Sequence, residues 1–153
     1  MVNRVLVAMD DSPLGREALS YALDAFPDAR IVVAHVAYLE YDMLPSDTEE
    51  VFEAPVGEFD GVGDDTARDV FETIHAVVDA SAAHAATGDQ DGGVVVSFLT
   101  GEPADRLVEY VESEPFDTVV AGTHGRDGLS RLLIGSVAES VVRRTEVPTV
   151  LVK

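Results

Sequence analysis

Hydrophobic blocks alternate along the chain with amphipathic segments, and the two kinds of block have different periods. The first block, Arg4 to Met9, is a near-continuous apolar run, which is typical of a strand buried on both faces. From Leu14 to Phe26 apolar residues recur at helical spacing, which predicts a helix with Ser12 as its cap and Pro13 as its first residue. The predicted strands are Arg4–Met9, Ile31–Val36, Val94–Leu99, Thr118–Ala121 and Pro148–Val152.

Helical patterns fill the intervals between these strands. They lie after Ser12, from Val70 to the neighbourhood of Gly88, from Pro103 onward and after Ser136. Strands that alternate with helices predict an α/β fold with a single open parallel sheet of five strands and helices on both faces. Asp10 closes the first strand and Gly122 closes the fourth. If these strands are neighbours where the winding reverses, both loops border the crevice in which such folds bind ligands.

One segment interrupts this alternation. Residues 40–64 contain nine acidic residues and no basic residue, together with two prolines and three glycines. A connection of this length inside a compact domain is either functional or mobile. We expect residues 1–153 to form one domain in which 40–64 is an acidic loop insertion, either a solvated surface loop or a lid over the crevice.

Length and composition favour an ordinary globular domain. The chain has 153 residues, of which 46% are hydrophobic, enough for a packed core. It contains no cysteine, which excludes a disulfide framework, a thiol nucleophile and a thiolate metal site. No apolar run has the length of a membrane span, and the amino terminus lacks the pattern of a signal peptide. We therefore expect a cytoplasmic protein with no membrane partner.

The charge of the chain is strongly one-sided. It has 29 acidic and 10 basic residues, a formal net charge of -19, and its only lysine is Lys153. Repulsion among so many carboxylates destabilises a compact chain, and salt screens it because the Debye length falls to about 3 Å at 1 M. The composition predicts a protein from a halophilic archaeon, the alternative being an acidic protein of a low-salt organism. In either case the field disfavours nucleic acid as a partner.

The most specific pattern is G-x2-G-x9-G-S, formed by Gly122, Gly125, Gly135 and Ser136. Glycines at a strand end let backbone N–H groups approach a ligand, and the unpaired N–H groups and dipole of a helix start favour an anion. Ser136 and Glu139 also form an S-x-x-E capping box, a role compatible with phosphate binding at the same helix start. The pattern predicts a site for the phosphates of a nucleotide.

The same region carries a resemblance to a known family. The C-terminal signature of universal stress proteins of the UspA type closely resembles V-A-G-T-H-G-R-D-G-L-S-R-L-L-I-G-S-V-A-E-S-V-V-R-R-T-E-V-P-T-V-L-V. The resemblance extends to V-L-V-A-M-D-D-S, to H-V at the end of strand two and to G-E-P-A-D-R-L, and covers the chain except the acidic insertion. It implies a Rossmann-like fold of the adenine nucleotide alpha hydrolase type, with strand order 3-2-1-4-5. Because every position of G-x2-G-x9-G-S is kept, the chain resembles the ATP-binding branch of that family.

The resemblance also implies a role for each matching residue. Asp10 would contact the ribose, and Ala8 and Val36 would border the adenine. Ala121 and Gly122 would line the path of the sugar and phosphates. The residues expected around the phosphates are Gly125, Arg126, Gly135, Ser136 and Val137.

Binding of anionic ATP to so acidic a chain requires cations at the site. Arg126 and Arg131 are the local candidates, although either can pair with a surface carboxylate instead, and we expect Mg²⁺ or Mn²⁺ bound through the phosphates. Asp11 stands where the family usually has glycine. It is either an outward-facing surface charge or a partner of that metal.

The sequence favours binding over catalysis. His124 lies inside the motif, yet no acid or nucleophile stands at a spacing that would make it a general base, and His35, His75 and His84 are isolated. We therefore expect an ATP-binding stress-response or signalling module. The alternatives are a slow ATPase and a dimeric scaffold that does not use nucleotide.

Two other classes of protein are excluded. A phospho-receiver domain needs an acceptor aspartate at the end of strand three, which ends at Leu99, and a lysine after strand five, where the chain has only its terminal Lys153. A P-loop enzyme needs G-x4-G-K-[ST], which is absent from the sequence.

The last strand, Pro148–Val152, is apolar and predicted at a sheet edge, where it invites pairing with another chain. Universal stress proteins that this chain resembles commonly dimerise through that strand, which implies a homodimer here.

Overall fold

In the computed structural model, which describes residues 2–9, 13–37, 52–55, 65–80, 93–123 and 136–153, strands and helices alternate as the sequence predicts. The helices are α1 (Pro13–Ala25), α2 (Asp65–Ala80), α3 (Pro103–Ser113) and α4 (Ser136–Arg144). The strands are β1 (Arg4–Ala8), β2 (Arg30–Ala37), β3 (Phe52–Pro55), β4 (Val94–Thr100), β5 (Thr118–Gly122) and β6 (Thr149–Val152). None of the described helices has the length and apolar character that crossing a membrane requires.

The strands form one sheet in the order β3-β4-β2-β1-β5-β6. The five predicted strands (β1, β2, β4, β5 and β6) are parallel, which confirms the expected order 3-2-1-4-5. At the centre of the sheet, Val7 of β1 lies opposite Val33 of β2 on one side and Val120 of β5 on the other. The winding therefore reverses between β1 and β5, so the first and fourth predicted strands are neighbours, as the expected strand order requires.

The short strand β3 corrects the interpretation of residues 40–64 as a loop without regular structure. It pairs antiparallel with β4, from Phe52 opposite Phe98 to Pro55 opposite Val95, and forms one edge of the sheet. Four residues that end in proline give almost no period-two signal, and proline is tolerated here because an edge strand has one side without a ladder. The rest of 40–64 lies outside the described residues, so a lid stays a prediction.

Helices cover both faces of the sheet. The layer with α1 and α2 buries Val5, Val7, Leu19, Leu23, Ile31, Val33, Val70 and Ile74. The layer with α3 and α4 buries Leu6, Val32, Leu107, Val111, Val119 and Val141. Because successive residues of a strand point to opposite faces, a strand between two apolar layers is apolar at nearly every position, which explains the continuous runs in the sequence.

The start of β1 is held by the connection between α3 and β5. The backbone N–H groups of Asn3 and Arg4 donate to Asp117 Oδ2 at 2.8 and 2.9 Å, and the Asp117 N–H donates to the Arg4 carbonyl at 2.9 Å. The Arg4 side chain lies 4.7 Å from the ring centroid of Phe116 and reaches Glu114 Oε2 at 2.9 Å. The two backbone donors lower the pKa of Asp117, since both stabilise its charged form.

We expect Asp117→Asn to destabilise the protein at pH 7 by about 1 kcal/mol, a low value for a hydrogen bond to a charged group because Asp117 is exposed. The folded-state pKa of Asp117 lies below its unfolded value, so its contribution is complete above the unfolded pKa and is lost as pH falls through the folded pKa. Urea unfolding in molar KCl at neutral and strongly acidic pH measures this effect. The control is Asp28→Asn, at an exposed turn position. A deficit of the same size at both pH values would contradict the assignment.

Candidate functional site

A cavity of about 270 Å³ opens at the carboxyl ends of β1, β2 and β5, where the winding of the sheet reverses. Its described lining residues come from the ends of these strands and from the helices α1, α3 and α4. They are Ala8, Met9, Gly15, Ala34, His35, Val36, Pro103, Leu107, Ala121, Gly122, Val137 and Ala138. The cavity lies in the crevice position typical of ligand sites in open α/β sheets.

The first turns of three helices converge on this cavity. Gly15 is the third residue of α1, Pro103 opens α3, and Val137 is the second residue of α4. Each helix start carries a partial positive charge. At α3 the carboxylate of Glu102 already compensates this charge, since it accepts a hydrogen bond from the N–H of Asp105 at 2.8 Å. The residues that would cap α1 and α4 lie outside the described part of the chain, so the helix starts near Gly15 and Val137 are the candidate positions for an anionic group.

The wall between β2 and α3 is apolar. Ala34 and Val36 contribute from β2, and Pro103 and Leu107 contribute from α3. Ala34 is 2% exposed and Leu107 is 2% exposed, so this wall continues directly into the core of the α3–α4 layer. A flat apolar group such as a purine ring suits a surface of this kind.

A wider groove of about 890 Å³ runs between α1 and α2. Its rim carries Glu17, Asp24, Asp69 and Glu72. None of its described lining residues is a strand end or the first residue of a helix, and its four carboxylates, against one arginine (Arg16), repel an anion. We therefore place the candidate site in the smaller cavity at the strand ends.

The structure brings five of the ten predicted site residues together. Ala8, Val36, Ala121, Gly122 and Val137 all line the cavity at the strand ends. Ser136 is the first residue of α4, immediately before Val137, and nothing is described of its side chain. The predicted residues outside the described part of the chain are Asp10, Gly125, Arg126 and Gly135.

Several other predicted contacts also fall outside the described residues. These are Asp11, Ser12, His124 and Arg131. The capping box of Ser136 and Glu139 stays a prediction, and the Glu139 carboxylate contacts Arg143 Nε at 3.0 Å. Among the described residues no group of three His, Asp or Glu side chains is placed to hold a metal ion. The metal expected with the phosphates therefore stays a prediction too.

Sequence reasoning missed the lining residues that lie beside the predicted ones. Met9 and His35 stand at the ends of buried strands, and Pro103 opens a helix, so their positions in the pattern were the available signal. Gly15 and Leu107 gave no signal, because each fits an ordinary helical pattern. His35 is the only ionisable side chain among the described lining residues.

Thr123 is a further polar residue at this end of the sheet. It is 5% exposed and follows Gly122, and its N–H donates to the Val152 carbonyl at 3.0 Å. Its hydroxyl oxygen is buried and has no hydrogen-bond partner among the described residues. A buried hydroxyl without a partner is uncommon in native proteins and suits a position that a ligand or water completes.

Gly122 has a structural role that the motif did not reveal. A Cβ atom at Gly122 would lie 2.9 Å from Leu14 Cβ, 3.0 Å from the Leu14 carbonyl carbon and 3.1 Å from its oxygen. Only glycine therefore lets the first turn of α1 lie against the end of β5. Because Gly122 has no side chain, β5 and α1 can pack closely, and this contact shapes the cavity wall.

Comparisons with known proteins agree with this architecture. The family model for universal stress proteins matches residues 1–153. Universal stress protein MJ0531 of Methanocaldococcus jannaschii is 46% identical over 55 residues, a match covering 36% of this chain and only 32% of that protein. Stress response protein NhaX of Bacillus subtilis is 26% identical over 99% of this chain and 98% of its own length. A universal stress protein solved in complex with cAMP has the same fold, with a TM-score of 0.63 and 22% identity over 99% of this chain and 97% of that one.

We expect Gly122→Ala to destabilise the protein by about 1–3 kcal/mol without any ligand, because the added methyl group overpacks the contact with Leu14. Urea unfolding of the nucleotide-free protein measures this loss. If the variant unfolds at the urea concentration of the parent protein and has lost only ligand binding, Gly122 serves ligand approach and the packing role is wrong.

Proposed function

The chain belongs to the universal stress protein family, and we propose that it acts in the stress response as an ATP-binding module. The observation that carries this proposal is the cavity between β1 and β5. It combines an apolar wall with the first turns of α1 and α4, which reach the cavity at Gly15 and Val137. These are the two chemistries that a nucleotide requires, one for the base and one for the phosphates.

The apolar wall and the helix starts lie at different places in the cavity, and together they set the orientation of the ligand. The base lies toward β2 and α3, against Val36 and Leu107. The phosphates lie toward α4, where Val137 follows Ser136 and the G-x2-G-x9-G-S segment ends. Ala121 and Gly122, which line the cavity at the end of β5, border the path between them. In this arrangement Asp10 holds the ribose, and Mg²⁺ or Mn²⁺ accompanies the phosphates.

Two observations support a nucleotide of adenine. A universal stress protein of the same fold was solved in complex with cAMP. The cavity of this chain is lined mainly by apolar side chains and has a volume of about 270 Å³, which suits a nucleoside with its phosphates extending outward. The intact G-x2-G-x9-G-S spacing is the one that the ATP-binding branch of the family keeps.

The proposal is binding, not efficient turnover. His35 is the only ionisable side chain of the described lining, and its Nδ1 already contacts a backbone carbonyl. A slow ATPase would need a base from the part of the chain outside the described residues, such as His124. Loss of turnover in His124→Ala would favour that second function.

We further propose that the protein works in a high-salt cytoplasm. Its formal net charge is -19, with a single lysine. Where the structure describes basic side chains, several are paired with carboxylates, as in Arg144 with Asp105 at 2.6 Å and Arg4 with Glu114 at 2.9 Å. Salt screens the remaining repulsion. Binding is therefore best measured in molar KCl.

A homodimer through residues 148–152 completes the proposal. β6 is an edge of the sheet, and all four of its residues are partly exposed. The carbonyls of Pro148 and Val152 accept hydrogen bonds from Val119 and Thr123 of the neighbouring chain segment. Since backbone groups alternate along a strand, the N–H and C=O of Leu151 point away from β5 and are placed to pair with a second copy.

We expect equilibrium binding of labelled ATP in molar KCl with a Kd well below millimolar. Ala8→Leu should weaken binding at least tenfold, because the longer leucine side chain occupies space in the cavity, and its urea midpoint is measured alongside to detect overpacking of the neighbouring core. The matched control is Ala25→Leu, at an exposed position at the end of α1, which should bind like the parent protein. Gly135→Val tests the motif and should abolish binding while the fold is kept.

Two results would contradict this function. The first is a parent protein that binds ATP no more tightly than about millimolar, which corresponds to about 4 kcal/mol of binding free energy. The second is full affinity in both Ala8→Leu and Gly135→Val, since the ligand would then lie elsewhere.

We expect light scattering in molar KCl to give the mass of two chains. Leu151→Pro removes an outward-facing N–H of β6 without removing a donor of the ladder with β5, so it should yield a folded monomer. Circular dichroism checks the fold of the variant. A monomeric parent protein, or a variant that stays dimeric, would show that β6 is not the interface.

A further inference from the structure

His35 makes a hydrogen bond that reaches from β2 to the end of β1. The residue is 7% exposed, and its Nδ1 lies 3.0 Å from the carbonyl oxygen of Met9. A carbonyl oxygen only accepts, so Nδ1 carries the hydrogen and donates it. The tautomer of the ring is thereby fixed by a backbone group at the wall of the cavity.

Met9 is the first residue beyond β1, and both of its backbone groups are held by β2. Its N–H donates to the Ala34 carbonyl at 2.9 Å, and its carbonyl accepts from the His35 side chain. The pairing of β1 with β2 therefore continues for one residue beyond the last strand residue, Ala8. Met9, Ala34 and His35 all line the cavity.

The chain that leaves Met9 is also held where it enters α1. Leu14 lies against Gly122 at the end of β5, and Gly15 lines the cavity. Met9 and Leu14, which flank the connection between β1 and α1, are thus held by β2 and by β5, and Met9 and Gly15 line the cavity.

We propose that His35 is a positioning residue for the nucleotide site, acting through the Met9 carbonyl to fix the position of Met9 in the wall of the cavity. The expected effect on nucleotide affinity rests on the proposed function. Its structural part, the hold on Met9, is measurable without any ligand.

The test compares two substitutions of His35 with one of His75. His35→Phe keeps the ring size and loses the donor, whereas in His35→Asn the side-chain Nδ2 stands close to the place of Nδ1 and donates again. His75→Phe is the matched control, because His75 lies on α2 and does not line the cavity. The measurements in molar KCl are the Kd for ATP, the urea midpoint and the hydrogen exchange rate of the Met9 amide.

We expect His35→Phe to raise the Kd about tenfold, equivalent to about 1.4 kcal/mol, and to accelerate exchange of the Met9 amide. His35→Asn should stay within about threefold of the parent Kd, and His75→Phe should change neither quantity. A general loss of stability does not predict this rescue by asparagine. Equal Kd values for His35→Phe and the parent, or equal losses in the Phe and Asn variants, would overturn the proposal.

The structural part has its own readout. Nitrogen NMR of the parent protein should show His35 protonated at Nδ1, with slow exchange of that proton, so the assignment is testable even if His35→Phe does not fold. A ring protonated only at Nε2 would overturn it. If the parent protein does not bind ATP while Met9 exchange and the His35 tautomer behave as expected, the nucleotide function is wrong and the hold on Met9 stands.

Discussion

Both walls of the cavity depend on β1 being hydrogen-bonded along both edges and covered on both faces. Val5, Leu6 and Val7 are completely buried, with β2 on one side and β5 on the other. Because the chain winds outward from β1 in both directions, the helices α1 and α4 that follow β1 and β5 lie on opposite faces of the sheet and leave a crevice between them. The two ends of the strand are fixed by different means. Asp117 holds the backbone before it, and Ala34 and His35 hold the residue after it.

Much of this architecture was predictable because burial of a strand produces a simple hydrophobic pattern in the sequence. A strand between two helical layers must be apolar at nearly every position, and the runs at Arg4 and Val94 show it. The strand β3 produces no such pattern. Its four residues lie at an edge within an acidic segment, so its pairing with β4 depends on tertiary structure. Local patterns do not contain that information.

The sequence was enough to predict where the site lies, but only some of the residues that line it. The glycine motif identified the end of β5 and the start of α4, and five predicted residues line one cavity there. Gly122 was identified for a different reason from the one the structure supplies, since ligand approach and helix packing both demand a residue without a side chain. Thr123 and His35 were missed because their importance lies in hydrogen bonding, or its absence, between segments far apart in the chain. An acidic chain with few bases also gains from using helix starts, because they attract an anion without adding a side chain that nearby carboxylates would neutralise.

The two edges of the sheet differ in what they offer to another molecule. At β3 the outermost strand is short and ends in Pro55, which cannot donate a backbone hydrogen bond. At β6 the outermost strand is apolar and has backbone groups facing outward. Such a sheet therefore has one edge strand that is suited to pairing with a second chain. In the proposed homodimer, a two-fold contact between β6 edges would occupy this edge in both copies and leave the short β3 edges on the outside, so that growth by edge pairing would stop at two chains.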